Sequence, residues 1–185
     1  LRCLVGSEMC IRDSSKWRYR EYLSTELIRD LAPGEWVCVS AWVSAAEQAG
    51  IVADGFGVLL SEAMPKGERD FALELAPQLV NPQGHFLEAK DGWVNLSDAV
   101  QATGGERWLT IGNFDAKGHT RIAASADAPK DATKWAYVYV DGVEVVPVDR
   151  PEDCACLVRK IADEMQDPPE PLTRIRELDL SLIHI

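Results

Sequence analysis

The groups with which this 185-residue chain could do chemistry are its three His, five Cys and thirty Asp and Glu. Nucleophilic catalysis needs a base beside a Ser or Cys. Away from the extreme C-terminus the bases on offer are His85 and His119, both in turn-like contexts, and no Ser or Cys sits in a GxSxG elbow. With so many carboxylates, pairs suited to glycoside cleavage are inevitable, and nothing singles one out. The chain therefore reads as a non-enzyme.

Aromatic side chains are the stronger candidates. Trp and Tyr faces stack on the apolar faces of pyranose rings, flanked by a few polar groups. The candidate ligand-binding residues are Trp17, Tyr19, Tyr22, Trp135 and Tyr137. Trp17 and Tyr19 stand beside Arg18, Arg20 and Glu21, so their segment is expected to be partly exposed. Most aromatics of a small sandwich instead fill the core, and Trp93 is assigned there outright. A binding module should expose at least two aromatics on one face with Asn, Asp or Arg beside them. A spacer should bury nearly all of them.

Charge narrows the partners. Lys and Arg number 19 against 30 acids, a net charge of -11. A phosphate-binding surface needs clustered Lys and Arg, so no nucleic-acid partner is expected. No apolar run reaches the length of a transmembrane helix. Cys38 lies in an apolar stretch and reads as a buried small hydrophobe. Cys154 and Cys156 are too close to bridge each other without strain, and no zinc-type spacing is present. Cysteine usage leaves the compartment open.

The elements that would position these groups read as strands. Residues 17–27 (WRYREYLSTEL) and 56–61 (FGVLLS) are strand-like, and residues 36–44 (WVCVSAWVS) are apolar on both faces, the mark of a covered central strand. Residues 45–55 are open between a short helix and a loop. Any strand in residues 71–80 is short or at an edge, given Pro77 and Pro82. Residues 93–114 show two alternating runs around Gly104-Gly105, which reads as an antiparallel hairpin. Asn113 and Asp115 read as turn formers at its exit. In residues 134–148, Trp135, Tyr137, Tyr139 and Asp141 share one face, and Ala136, Val138 and Val140 the other. The fold class expected is all-β, an antiparallel sandwich. Residues 149–178 read as an acidic, Pro-rich linker with a short helix over 156–165. Residues 1–14 (LRCLVGSEMCIRDS) and 179–185 (DLSLIHI) lack continuity with this pattern and resemble translated sequencing-adapter DNA. They are expected to be non-native, with the β-sandwich module occupying 15–148. The chain is then expected to be a fragment that lacks a signal peptide, its first strand and a downstream domain.

The run W-x(9)-TGGE-x-WLTIGNF, from Trp93 to Phe114, resembles a β-sandwich module of bacterial envelope proteins of the OmpA family. That module is similar to carbohydrate-binding, galactose-binding-like jelly rolls. YREYLSTEL, VSAWVS, PQLVNPQG and AYVYVDGVEV fit in the same order. Departures are Asp98 where Gly is common, Val100 where Phe is common, and Asp141-Gly142 where two Asp are usual. The resemblance implies a jelly roll and an exported protein of the outer membrane, periplasm or cell surface of a Gram-negative bacterium. It implies a glycan or cell-wall polysaccharide as partner. The alternative it carries is a structural spacer presenting a downstream peptidoglycan-binding domain. It also implies one structural calcium ion, with Asp141 as a ligand.

Overall fold

The computed structural model describes residues 20–66, 72–115 and 118–155, and the backbone of residues 7–11. In chain order the strands are β1 (Ser7–Ile11), β2 (Tyr22–Glu26), β3 (Trp36–Ala45), β4 (Ile51–Ala53), β5 (Gly57–Ser61), β6 (Leu79–Val80), β7 (Val94–Gln101), β8 (Trp108–Gly112), β9 (Ile122–Ala124) and β10 (Ala136–Val148). Two antiparallel four-stranded sheets run β1-β10-β3-β7 and β2-β8-β5-β6, while β4 and β9 form a small separate ribbon. The chain crosses repeatedly between the two large sheets, staying in one only at the β5–β6 pair, as in a double-sheet jelly roll.

Alternation along each strand builds the core. Val37, Val39, Ala41 and Val43 of β3 point inward with Val138 and Val140 of β10. They meet Val58 and Leu60 of β5 and Leu109 and Ile111 of β8. Ile111, Val37, Val39, Val43, Val58 and Val140 are fully buried. Each such side chain contributes about 1.5–3 kcal/mol of transfer free energy. Strand β3 is central, between β10 and β7, as its two apolar faces require.

Several expectations change. The two runs around Gly104-Gly105 are not a hairpin: β7 pairs with β3 in one sheet, and β8 pairs with β2 and β5 in the other. The turn is a crossover between sheets. The buried Glu106 carboxylate holds it, accepting bonds from the Thr103 N–H at 2.7 Å, the Thr103 hydroxyl at 2.6 Å and the Gly104 N–H at 2.9 Å. A Cβ on Gly104, at φ 107°, would lie 2.5 Å from the Pro33 ring. Period-two alternation is the same in a hairpin and in a crossover, so the pattern could not separate them. Trp93 is 42% exposed rather than in the core, because it precedes an edge strand.

Cys38 is not a lone hydrophobe. It points to the outer side of β3 and forms a disulfide with Cys154, 116 residues away, with a Cα–Cα distance of 5.0 Å. Residues 45–55 supply a turn and then β4, which pairs with β9. The first described strand of the 17–27 stretch begins at Tyr22. Of the 1–14 segment set apart in the sequence, Ser7–Ile11 run as β1 along the outer edge of β10. Residues 153–155 are helical, and the helix expected over 156–165 lies outside the described residues.

Candidate functional site

The outer face of the β1-β10-β3-β7 sheet gathers the aromatic residues. On β10, Ala136, Val138 and Val140 turn inward, so Tyr137, Tyr139 and Asp141 turn outward. Cross-strand register then sets Asp141 opposite Trp42, and Trp42 opposite Asn95. Trp135, Tyr137, Tyr139, Trp42, Asp141 and Asn95 are all partly exposed. Two donors on this face are unusual. The Trp42 Nε1–H and the Asn95 amide nitrogen are both buried, with no hydrogen-bond acceptor. The Tyr139 hydroxyl donates to Glu47 Oε2 at 3.0 Å. Glu47's own backbone N–H and this hydroxyl hold its carboxyl below the usual range.

A β-bulge shapes the row. The register shifts between Asp141 and Glu144, and Gly142 takes φ 54°. A Cβ there would sit 2.8 Å from Trp42 Cδ1, so glycine lets the indole lie flat against the strand. The Asp141 carboxylate accepts the Gly142 N–H at 2.7 Å. Among the described residues no three His, Cys, Asp or Glu side chains come together as a metal cage. The bond to the Gly142 N–H gives Asp141 a turn-stabilising role. Elsewhere an organic cation does comparable work. The Lys90 ammonium donates to the carbonyls of Glu47, Ala49 and Asp127 at 3.2–3.3 Å. It ties the β3–β4 turn to the segment that follows β9.

Of the residues singled out in the sequence, Tyr137 and Asp141 share this face, and partly exposed Trp135 immediately precedes β10. Tyr22 does not. It lies on β2 in the opposite sheet, its ring 5.2 Å from Phe114. Its hydroxyl donates to the Asn113 carbonyl at 2.6 Å and accepts the Leu73 N–H at 2.9 Å. Burial pushes the phenol's pKa up. Trp17 and Tyr19 lie outside the described residues. Sequence reading did not pick out Trp42 and Asn95. The signal for Trp42 was present, because it alternates with Ser40 and Ser44 and so belongs to the polar side of β3.

A second feature lies beside the β2-β8-β5-β6 sheet. A cleft of about 410 Å³ is lined by Asp54 to Gly57, Pro77, Val80, Asn81, Gln83, Asn113 to Asp115, His119 and Thr120. Buried Asp54 organises it, accepting the Gly84 N–H at 2.6 Å and the Arg121 N–H at 2.8 Å. The Asn81 amide donates to the carbonyls of Asp54 and His85. The Asn113 side chain is bonded to the Thr120 hydroxyl and the Asp115 N–H.

Fold and face together define a jelly-roll sandwich with an aromatic, polar outer surface. No protein-family model matches the chain, and no curated protein matches it. Among solved structures it is similar to the K3 cleaved adhesin domain of Lys-gingipain from Porphyromonas gingivalis. That likeness is at 16% identity, covering 76% of this chain and 71% of that one, with a TM-score of 0.36.

Proposed function

We propose that this chain is a non-catalytic carbohydrate-binding module of an exported bacterial envelope protein. The observation that carries the reading is the row of Trp135, Tyr137, Tyr139 and Trp42, partly exposed on one sheet face with Asp141 and Asn95 beside them. Flat aromatic faces with adjacent amide and carboxylate groups suit the alternating apolar and hydroxylated sides of a sugar chain. A buried indole N–H and a buried amide nitrogen without acceptors lie beneath this face and are costly to leave unsatisfied. Export is supported by the Cys38–Cys154 disulfide, since such bonds persist in oxidising compartments. The likeness of the Trp93–Phe114 run to OmpA-family modules supports a Gram-negative envelope. Among the described residues no helix is long and apolar enough to cross a membrane.

The test is a glycan array followed by titration calorimetry on the protein and on Trp42→Ala. Binding that weakens at least about tenfold in the variant supports the reading, being the loss of one stacked ring. Absence of binding to every glycan at high concentration sinks it. A second reading, a spacer that presents a peptidoglycan-binding domain, is favoured by one observation. The disulfide pins residue 154 to the central strand, which fixes where the chain leaves the sandwich.

A further inference from the structure

We propose that the cleft beside the β2-β8-β5-β6 sheet is a second ligand site, for a single uncharged sugar residue, separate from the aromatic face. Its volume of about 410 Å³ falls within the range of small-molecule sites, roughly 300–1,000 Å³. The floor is apolar: Phe56 and Phe114 are buried, Pro77 covers Gly57, and Val80 is 56% exposed at the mouth. Amides and a hydroxyl stand around it in Asn81, Gln83, Asn113 and Thr120. An apolar floor under a ring of amide and hydroxyl groups matches the two kinds of surface on one pyranose ring.

The walls are fixed before any ligand arrives. Asp54 holds the backbone at residues 84 and 121, and Asn81 holds residues 54 and 85. Asn113 and Asp115 hold Thr120, and the Gln83 amide donates to the His119 carbonyl at 3.0 Å. Three loops are thereby tied into one rim, which lowers the ordering cost of binding. Gly55 is part of the device, since a Cβ there would meet the Asn113 amide nitrogen at 2.4 Å.

Charge sets the ligand class. The ionisable lining groups are Asp54, Asp115 and His119, and His119 Nδ1 stands 3.4 Å from Asp115 Oδ1. No Lys or Arg is among the lining residues. Among the described residues the Arg121 guanidinium stands near one rim loop, 3.6 Å from where a Cβ on Gly84 would sit. Among the described lining residues, two carboxylates with no Lys or Arg beside them disfavour an acidic sugar.

The experiment is NMR titration of the isotope-labelled full chain with glucose, galactose, N-acetylglucosamine and glucuronate. A neutral sugar should shift the amides of Gln83, Asn113 and Thr120, with a dissociation constant of roughly 1–10 mM. Glucuronate should bind at least about fivefold more weakly. Val80→Trp, at an exposed position, should block the cleft and abolish the shifts. His119→Ala, at an equally exposed rim position, should weaken them. Trp42→Ala should leave them intact, so this site and the aromatic face fail separately. The proposal is overturned if no neutral sugar shifts these amides at about 50 mM, well above the affinity expected. It is also overturned if glucuronate binds best, or if the shifts survive both cleft variants.

Discussion

The two outer faces of the sandwich carry similar residues and use them in opposite ways. On the β2-β8-β5-β6 side, Tyr22 packs against Phe114 in a tilted ring pair beside Leu59 and Leu73, and its hydroxyl is bonded twice. On the β1-β10-β3-β7 side, Trp42 presents an indole N–H that is buried and has no acceptor. Both are aromatic residues on the outer side of a strand. The first is a finished structural joint, and the second leaves one donor without a partner. What separates them is the fate of the polar atom, more than exposure or residue type.

The largest effect that would test this contrast involves Cys38, on the same side as Trp42. Replacing it by Ser removes a cross-link closing a 116-residue separation, a loss of about 5 kcal/mol in the chain-entropy account. Thermal melting should fall by roughly 10–20 °C for a domain of this size. A melting temperature that does not move would mean that the bond contributes nothing to the fold.

Next comes Tyr22→Phe, which leaves the Leu73 N–H and the Asn113 carbonyl without their partner. Urea unfolding should register about 1–3 kcal/mol of destabilisation. If the change is negligible, the two faces do not differ in the way described.

A smaller effect belongs to the crossover joining the sheets. Burial alone would push the Glu106 carboxyl up, but bonds from the Thr103 hydroxyl and the N–H groups of Thr103 and Gly104 outweigh it and hold the pKa below 4.5. A depressed folded-state pKa gives stability that is complete above the unfolded value and is lost as pH falls through the folded one. The urea midpoint should therefore decline below about pH 4.5. In Glu106→Gln that decline should be shallower, and a variant with the same acid slope would remove Glu106 from the account.

The smallest expected effect is the sharpest contrast. Trp42→Phe deletes an unsatisfied donor, and this offsets the lost contact area, so stability should change by less than about 1 kcal/mol. If Trp42→Phe costs more than Tyr22→Phe, the assignment of joint and binding face is reversed.

Much of this architecture was readable along the chain. Strands at 36–44, 56–61 and 134–148, and the inward set of Val138, Val140, Leu109 and Ile111, follow from period-two alternation and burial. What alternation cannot carry is which strands are neighbours. The Gly104-Gly105 turn was assigned to a hairpin because a crossover has the same local pattern, and only the pairing of β7 with β3 distinguishes them. Cys38 was read alone because its partner is 116 residues away. The aromatic face is half legible in Tyr137 and Asp141 on β10, with Trp135 just before it. Trp42 and Asn95 join it through register across two further strands. The cleft was not visible, because its Asn and Asp residues are of the kind that also close turns.

Lys90 has a consequence of its own. Its ammonium bridges three carbonyls from two loops, and it is attached to the main chain by a covalent stem. A counter-ion carried in this way cannot be chelated, diluted or exchanged for another ion. That corner thus carries its cation with it and draws none from solution.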